Sequence, residues 1–121
     1  MKKYADAEAC PIRNVIDRIG DKWSMLVLLL LEEAGILRFS EIHKTIETIS
    51  QKMLTVTLKA LEADGLVSRT VFPQIPPRVE YKLTDRGKSL MPHLHSLVHW
   101  ASDNLMAIRE SRQQYPKEVN N

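Results

Sequence analysis

A mostly α-helical α+β domain, in which a helix-turn-helix runs straight into a β-hairpin, is predicted by three observations in residues 49–83. Ser50 and Gly65 bracket a run with helical spacing: a serine hydroxyl accepts from the free N–H groups of a first turn, and glycine tolerates the left-handed residue that ends a helix. Val79, Tyr81 and Leu83 alternate with Arg78, Glu80 and Lys82, the period of a strand with one buried face, and residues 66–72 form a β-rich run able to pair with it. Pro73, Pro76 and Pro77 fall between the two runs, where a residue with no N–H must lie outside a ladder. A capped helix at about 50–64, then a wing at about 66–83, is the order of a winged helix-turn-helix.

Within the helix, Leu54, Leu58 and Leu61 mark the buried stripe, while Ser50, Gln51, Lys52, Thr55 and Lys59 make an outer stripe with no acid in it. Amides, hydroxyls and ammonium groups are what base edges and phosphates of the major groove accept, so this stripe is the candidate DNA-reading surface. Arg69, Gln74 and Arg78 are the candidate DNA contacts of the wing. An ordinary solvated face is the competing reading, and for this helix alone it is the stronger one.

Upstream, Cys10-Pro11 opens a helix, since proline is pre-organised for a first helical position. Ile12, Val15, Ile16 and Ile19 give it an apolar stripe that should be buried, and Gly20 closes it. Asp21 caps the next helix, 22–34, whose centre from Met25 to Leu31 is apolar all round and should be the buried axis. Residues 36–39 are a candidate first strand joining the hairpin as a third. Ser40 is the expected cap of a short helix ending near Glu47, so that 41–47 and 50–64 form the helix-turn-helix. Thr84 and Asp85 start the last helix, 85–114, with Leu90, Leu94, Leu97, Val98, Ala101, Leu105 and Ile108 along one side. Pro92 should kink or break it. So much apolar length on one helix suits a dimerisation element. Residues 1–9 read as a polar arm and Pro116–Asn121 as a loose tail.

At 121 residues the chain is expected to be one domain, with its core in residues 10–100 and a second copy helping to bury apolar surface. The net charge of +2 is too weak to argue for nucleic acid by itself. The excess is local: residues 50–82 hold Lys52, Lys59, Arg69, Arg78 and Lys82 against Glu62, Asp64 and Glu80. The longest apolar run, Met25 to Leu31, falls far short of the roughly 20 residues of a membrane helix, and no signal-peptide core follows the basic start, so a soluble cytoplasmic protein is expected with no membrane partner. The single cysteine fits a reducing compartment.

Several motifs in order carry a resemblance: Cys10-Pro11; Asp21-Lys22-Trp23; Arg38-Phe39-Ser40-Glu41-Ile42; Ile49-Ser50-Gln51-Lys52-Met53-Leu54; Leu61-Glu62-Ala63-Asp64-Gly65-Leu66-Val67-Ser68-Arg69; and Pro76-Pro77-Arg78-Val79-Glu80-Tyr81-Lys82-Leu83-Thr84. Over roughly residues 10–100 the chain closely resembles the HxlR family, small bacterial transcription regulators related to the MarR group. The resemblance implies a dimer formed through the terminal helices, and in some members a cysteine at the place of Cys10 senses oxidants, quinones or aldehydes. Thr48 departs from the pattern, standing where the family usually has Gly before the recognition helix.

The remaining constellations divide the same way. Cys10 faces the positive end of a helix dipole, a setting that favours a thiolate and makes it the candidate redox sensor, although a buried cysteine is usually inert packing. His95 and His99, four apart, share a helix face with His93 nearby, but a structural metal site needs about four ligands, so neither a metal nor another cofactor is expected. Trp23 and Trp100 read as core or interface anchors, or as walls of a ligand pocket. Nothing resembles a nucleophile with its base, a phosphate-binding glycine loop or a paired-carboxylate site, so an enzyme is not expected. The expected function is a sequence-specific DNA-binding regulator of transcription, repression being the expected direction. It would act as a homodimer on a two-fold symmetric double-stranded operator, under a small-molecule or oxidant effector. A winged-helix protein-interaction module without DNA binding is the alternative.

Overall fold

The computed structural model describes residues 10–116; the arm at 1–9 and the tail beyond Pro116 lie outside the described residues. Five helices and a three-stranded antiparallel sheet follow one another in the order of a winged helix-turn-helix. By internal contact the chain divides into two units, residues 1–91 and residues 92–121.

The first unit opens on a helical run, α1, that is π-helical over Ile12–Ile16 and α-helical over Asp17–Ile19. The wider turn changes which side chains line up. Of the expected buried stripe, only Ile19 is buried, while Ile12, Val15 and Ile16 are each about half exposed. Next comes α2, Lys22–Ala34, whose cap is as expected: the Asp21 carboxylate accepts from the Ser24 N–H at 2.9 Å. Its all-apolar centre supplies Val27, Leu28 and Leu31 to the core, each at most 1% exposed.

Strand β1, Ile36–Arg38, leads into α3, Phe39–Thr45, and α4, Gln51–Ala63, completes the helix-turn-helix. The expected cap at Ser40 is corrected: α3 starts at Phe39, with Arg38 as its cap residue. The Glu41 carboxylate accepts from the Arg38 backbone N–H at 2.9 Å, and a guanidinium has no acceptor to return the bond, so this is half a capping box. In the turn, His43 Nε2 lies 3.0 Å from the Ile49 carbonyl, which can only accept, so that nitrogen carries the proton. No described non-glycine residue has positive φ, so the turn at Thr48 is made without a left-handed residue. Ile42 and Ile49 are buried at this corner, as are Leu54, Leu58 and Leu61 along α4. Each fully buried leucine or isoleucine contributes about 1.5–3 kcal/mol relative to exposure.

Gly65, at φ +74°, ends α4 as its sequence position implies. Strands β2, Val67–Phe72, and β3, Arg78–Leu83, form the wing hairpin, and β1 pairs with β3, giving the order β1-β3-β2. Thr84 then fastens the wing to the last helix. Its hydroxyl accepts from the Gly87 N–H at 3.0 Å and donates to the Gly65 carbonyl, while its own N–H bonds the Leu66 carbonyl at 3.0 Å.

That last helix, α5, runs Asp85–Gln114. Of the kink or break expected at Pro92, the break is not found, since helical structure continues through it. Proline at this position leaves the carbonyl four residues back without its helical donor, but Lys88 and Pro92 are both exposed, so water can take the bond. In the second unit Ser96 Oγ donates to the Pro92 carbonyl at 3.1 Å, and Leu97, Val98, Trp100, Leu105 and Met106 are exposed. No helix among the described residues is long and apolar enough to cross a membrane.

Candidate nucleic-acid interface

The recognition helix α4 presents its faces as its spacing requires. Leu54, Thr57, Leu58 and Leu61 are buried, and Gln51, Lys52 and Lys59 are exposed on the other side. Ser50 is exposed, but its oxygen already accepts from the Met53 N–H at 3.0 Å, so its place in the interface is first that of a cap. Thr55 is half-buried. Its hydroxyl donates to the Gln51 carbonyl at 2.9 Å, which leaves its methyl group and a lone pair for a partner.

Sequence reasoning passed over Val56, which is 54% exposed. It stands four residues after Lys52 and three before Lys59, in the middle of the outer face. An apolar residue there breaks a search for polar stripes, although apolar groups are among those that can meet a thymine methyl. Met53, 41% exposed, extends the same kind of surface at the helix start.

The wing meets this helix on one face only. Register pairs Arg69 with Tyr81 and Phe72 with Arg78. Positions 69 and 72 differ by an odd number, so alternation sends Arg69 and Arg78 to opposite faces of the ribbon. Arg69 joins Thr55, Lys59 and Glu62 of α4, with Phe39 and Tyr81, around a cleft of about 410 Å³. Arg78 lies on the outer face, its guanidinium carbon 4.1 Å from the centre of the Phe72 ring and its Nε 3.4 Å from Glu80 Oε2. That Nε is buried and makes no hydrogen bond, so the ion pair with Glu80 is held by charge and not by good bond geometry. Gln74 is exposed in the loop between the strands, and beside it Ile75 is fully exposed at the tip.

The remaining candidates lie elsewhere. Cys10 is a free thiol at 2% exposure, its carbonyl accepting from the Asn14 N–H at 3.0 Å and from Asn14 Nδ2 at 3.1 Å. His99 pairs with Asp103 at 3.3 Å on an exposed helix face, and among the described residues no group of three or more histidines, cysteines or acids could hold a metal ion. Trp23 is half-buried with Lys22 Nζ 4.5 Å over its ring, and Trp100 is exposed.

A basic, acid-poor recognition helix, opposite a wing arginine and inside a β1-β3-β2 winged fold, calls for comparison with known regulators. Residues 18–109 match the family described as HxlR-like helix-turn-helix. The chain belongs to this HxlR-like family. It is 50% identical over 95 residues to an uncharacterized HTH-type transcriptional regulator of Methanothermobacter thermautotrophicus, covering 78% of this chain and 72% of the relative. Among solved structures it is similar to the redox regulator HypR in its reduced form, with a TM-score of 0.77 at 37% identity, over 83% of this chain and 98% of that one. The reduced form of the transcriptional regulator YodB from B. subtilis superposes with a TM-score of 0.68 at 39% identity, over 76% of this chain and 90% of that one. As an HxlR-like protein the chain is a winged helix-turn-helix of a DNA-binding, transcription-regulating family.

Proposed function

We propose that this protein is a sequence-specific repressor of transcription that acts in the cytoplasm and binds a two-fold symmetric operator as a homodimer. The observation that carries the reading is the outer face of α4, where Gln51, Lys52, Val56 and Lys59 stand exposed with no acid among them, next to a cleft in which Arg69 of the wing meets Thr55, Lys59 and Glu62. Gln51, Val56 and the Thr55 methyl suit base edges, and Lys52, Lys59 and Arg69 suit phosphates. Gln74 and Ile75 at the wing tip would lie along the neighbouring backbone or minor groove. The dimer rests on the exposed apolar residues of α1 and, separately, of residues 97–106, which a second copy would cover.

Cys10 supplies the proposed effector response, to an oxidant or electrophile. Similarity to a redox regulator and a thiol at the start of α1 support it. Burial at 2% means the thiol must be uncovered before a reagent reaches it, so slow reaction is part of the proposal.

Selection of duplexes from a random library by the purified chain tests the reading. Enriched inverted repeats with half-sites about 34 Å apart, or a multiple of that, are expected. A promoter fusion carrying such a site should be silenced when the protein is supplied. A library that returns no enriched sequence would favour the protein-interaction module instead.

A further inference from the structure

The outer face of the sheet carries a second cleft. It measures about 310 Å³ and is walled by Arg38, Phe39 and Ser40 on one side and Pro77, Arg78 and Val79 on the other. Two arginines from different elements converge here, one from the end of β1 and one from the start of β3. Among the described residues the Arg38 guanidinium makes no hydrogen bond or ion pair; only its backbone N–H is engaged, by Glu41. The carboxylates nearby are accounted for. Glu80, directly opposite Arg38 in the ladder, is drawn to Arg78, and Glu41 is held at the helix cap. Phe39 lines both this cleft and the one between the recognition helix and Arg69. The two clefts therefore share a wall, and Arg69, Phe39 and Arg38 mark a path from the recognition helix to the loop end of the wing.

We propose that Arg38, assisted by the Ser40 hydroxyl and Arg78, grips a phosphate of the DNA backbone at this cleft, a contact separate from those of the recognition helix. The inference rests on the DNA-binding reading above. A planar guanidinium with free donors beside a hydroxyl is the chemistry a phosphodiester accepts, and such a contact fixes register without reading sequence. Glu80 limits the grip by competing for Arg78.

The test uses the full-length chain, a duplex it has selected from a random library, and a random-sequence duplex of equal length. Arg38→Ala should weaken both to the same degree and lower the slope of log affinity against log salt by about 0.9, the loss of one phosphate contact. Arg38→Gln, which keeps the chain length without the charge, should give the same loss of slope, and Arg38→Lys should keep most of it. Glu80→Gln should move affinity the other way on both duplexes. The melting temperature of Arg38→Ala should match the wild type, because the Glu41 contact uses the backbone. An unchanged slope in both Arg38→Ala and Arg38→Gln overturns the proposal while leaving the regulator reading intact, and so does weakening confined to the selected duplex. A wild-type chain that binds neither duplex removes the regulator reading, and this inference with it.

Discussion

Arg18 Nε lies 2.7 Å from Asp64 Oδ2, joining two residues 46 positions apart and tying α1 to the C-terminal end of the recognition helix. Arg86 Nη1 adds a bond of 3.2 Å to the Asp64 carbonyl, so the first turn of α5 meets the same corner. The hydrogen bond that Arg18 donates to Asp64, and then the Asp64 charge, raise the Arg18 pKa above the ordinary arginine value. A raised cation contributes its stability below the unfolded value and loses it only as pH rises through the folded one, which here lies above any working pH. Salt, not pH, should therefore be the lever. Arg18→Ala and Asp64→Ala are expected to lower the urea midpoint slightly and by non-additive amounts, with the coupling fading in high salt, since both side chains are partly exposed. A double-mutant cycle at low and high salt checks this. Additive effects at both would mean that the pair does not couple.

The recognition helix depends on two kinds of local support that should differ in size. Ser50→Ala removes the acceptor for the Met53 N–H and should cost about 1 kcal/mol. Leu54→Ala empties a site with no solvent exposure and should cost about 2–5 kcal/mol. Denaturant titration of both variants reads the difference directly. A Ser50→Ala protein as unstable as Leu54→Ala would mean the serine does more than cap.

Where sequence reading succeeded, the information was local. Asp21, Ser50 and Gly65 each act within about one turn of their own position, and the caps and stops stand where those residue types require them. The strand alternation of residues 79–83 likewise depends only on neighbours. What was not legible depended on pairing. Arg69 and Arg78 are nine apart with a loop between them, and only the register of the hairpin reveals that they face opposite ways. The half-exposed Ile12, Val15 and Ile16 escaped for another reason: a stripe drawn at α-helical spacing takes no account of a π-helical turn. The exposure of Val56 was not legible either, because an apolar residue at its position reads as part of a buried stripe.

Cys10 should respond slowly but specifically. Diamide or a quinone is expected to release DNA from the wild type over a time set by uncovering of the thiol, and to leave Cys10→Ser bound. Following DNA release alongside thiol modification by mass spectrometry makes the link. Equal responses in both proteins, or none in either, would make the buried thiol a packing residue.

Dimerisation should be separable from folding. Trp100→Lys and Leu97→Lys place charge on residues that are already exposed, so neither should disturb the first unit, whose core ends at Met91. Both variants are expected to sediment as monomers with unchanged circular dichroism and to bind a single half-site weakly. Variants that remain dimers would move the interface to Ile12, Val15 and Ile16, where the same substitution can be made.

Reading and holding should come apart on the recognition helix and the wing. Gln51 offers an amide to an adenine edge, and Val56 offers a methyl-sized apolar surface to thymine, so Gln51→Ala should cost about 1–3 kcal/mol on the selected duplex and little on random DNA. Lys59 and Arg69 line one cleft, so Arg69→Ala should weaken both duplexes alike and reduce the salt slope by about one ion. Arg78 differs from Arg69 because Glu80 already offsets its charge and Phe72 supports its plane. Its removal should therefore reduce the slope by less than removal of Arg69 does, and Glu80→Gln should restore the difference by freeing the guanidinium. A salt titration of the wild type and the four variants on both duplexes gives these comparisons. Equal slopes for Arg69→Ala and Arg78→Ala would show that the two faces of the ribbon contribute alike, and that the offset by Glu80 does not persist on DNA.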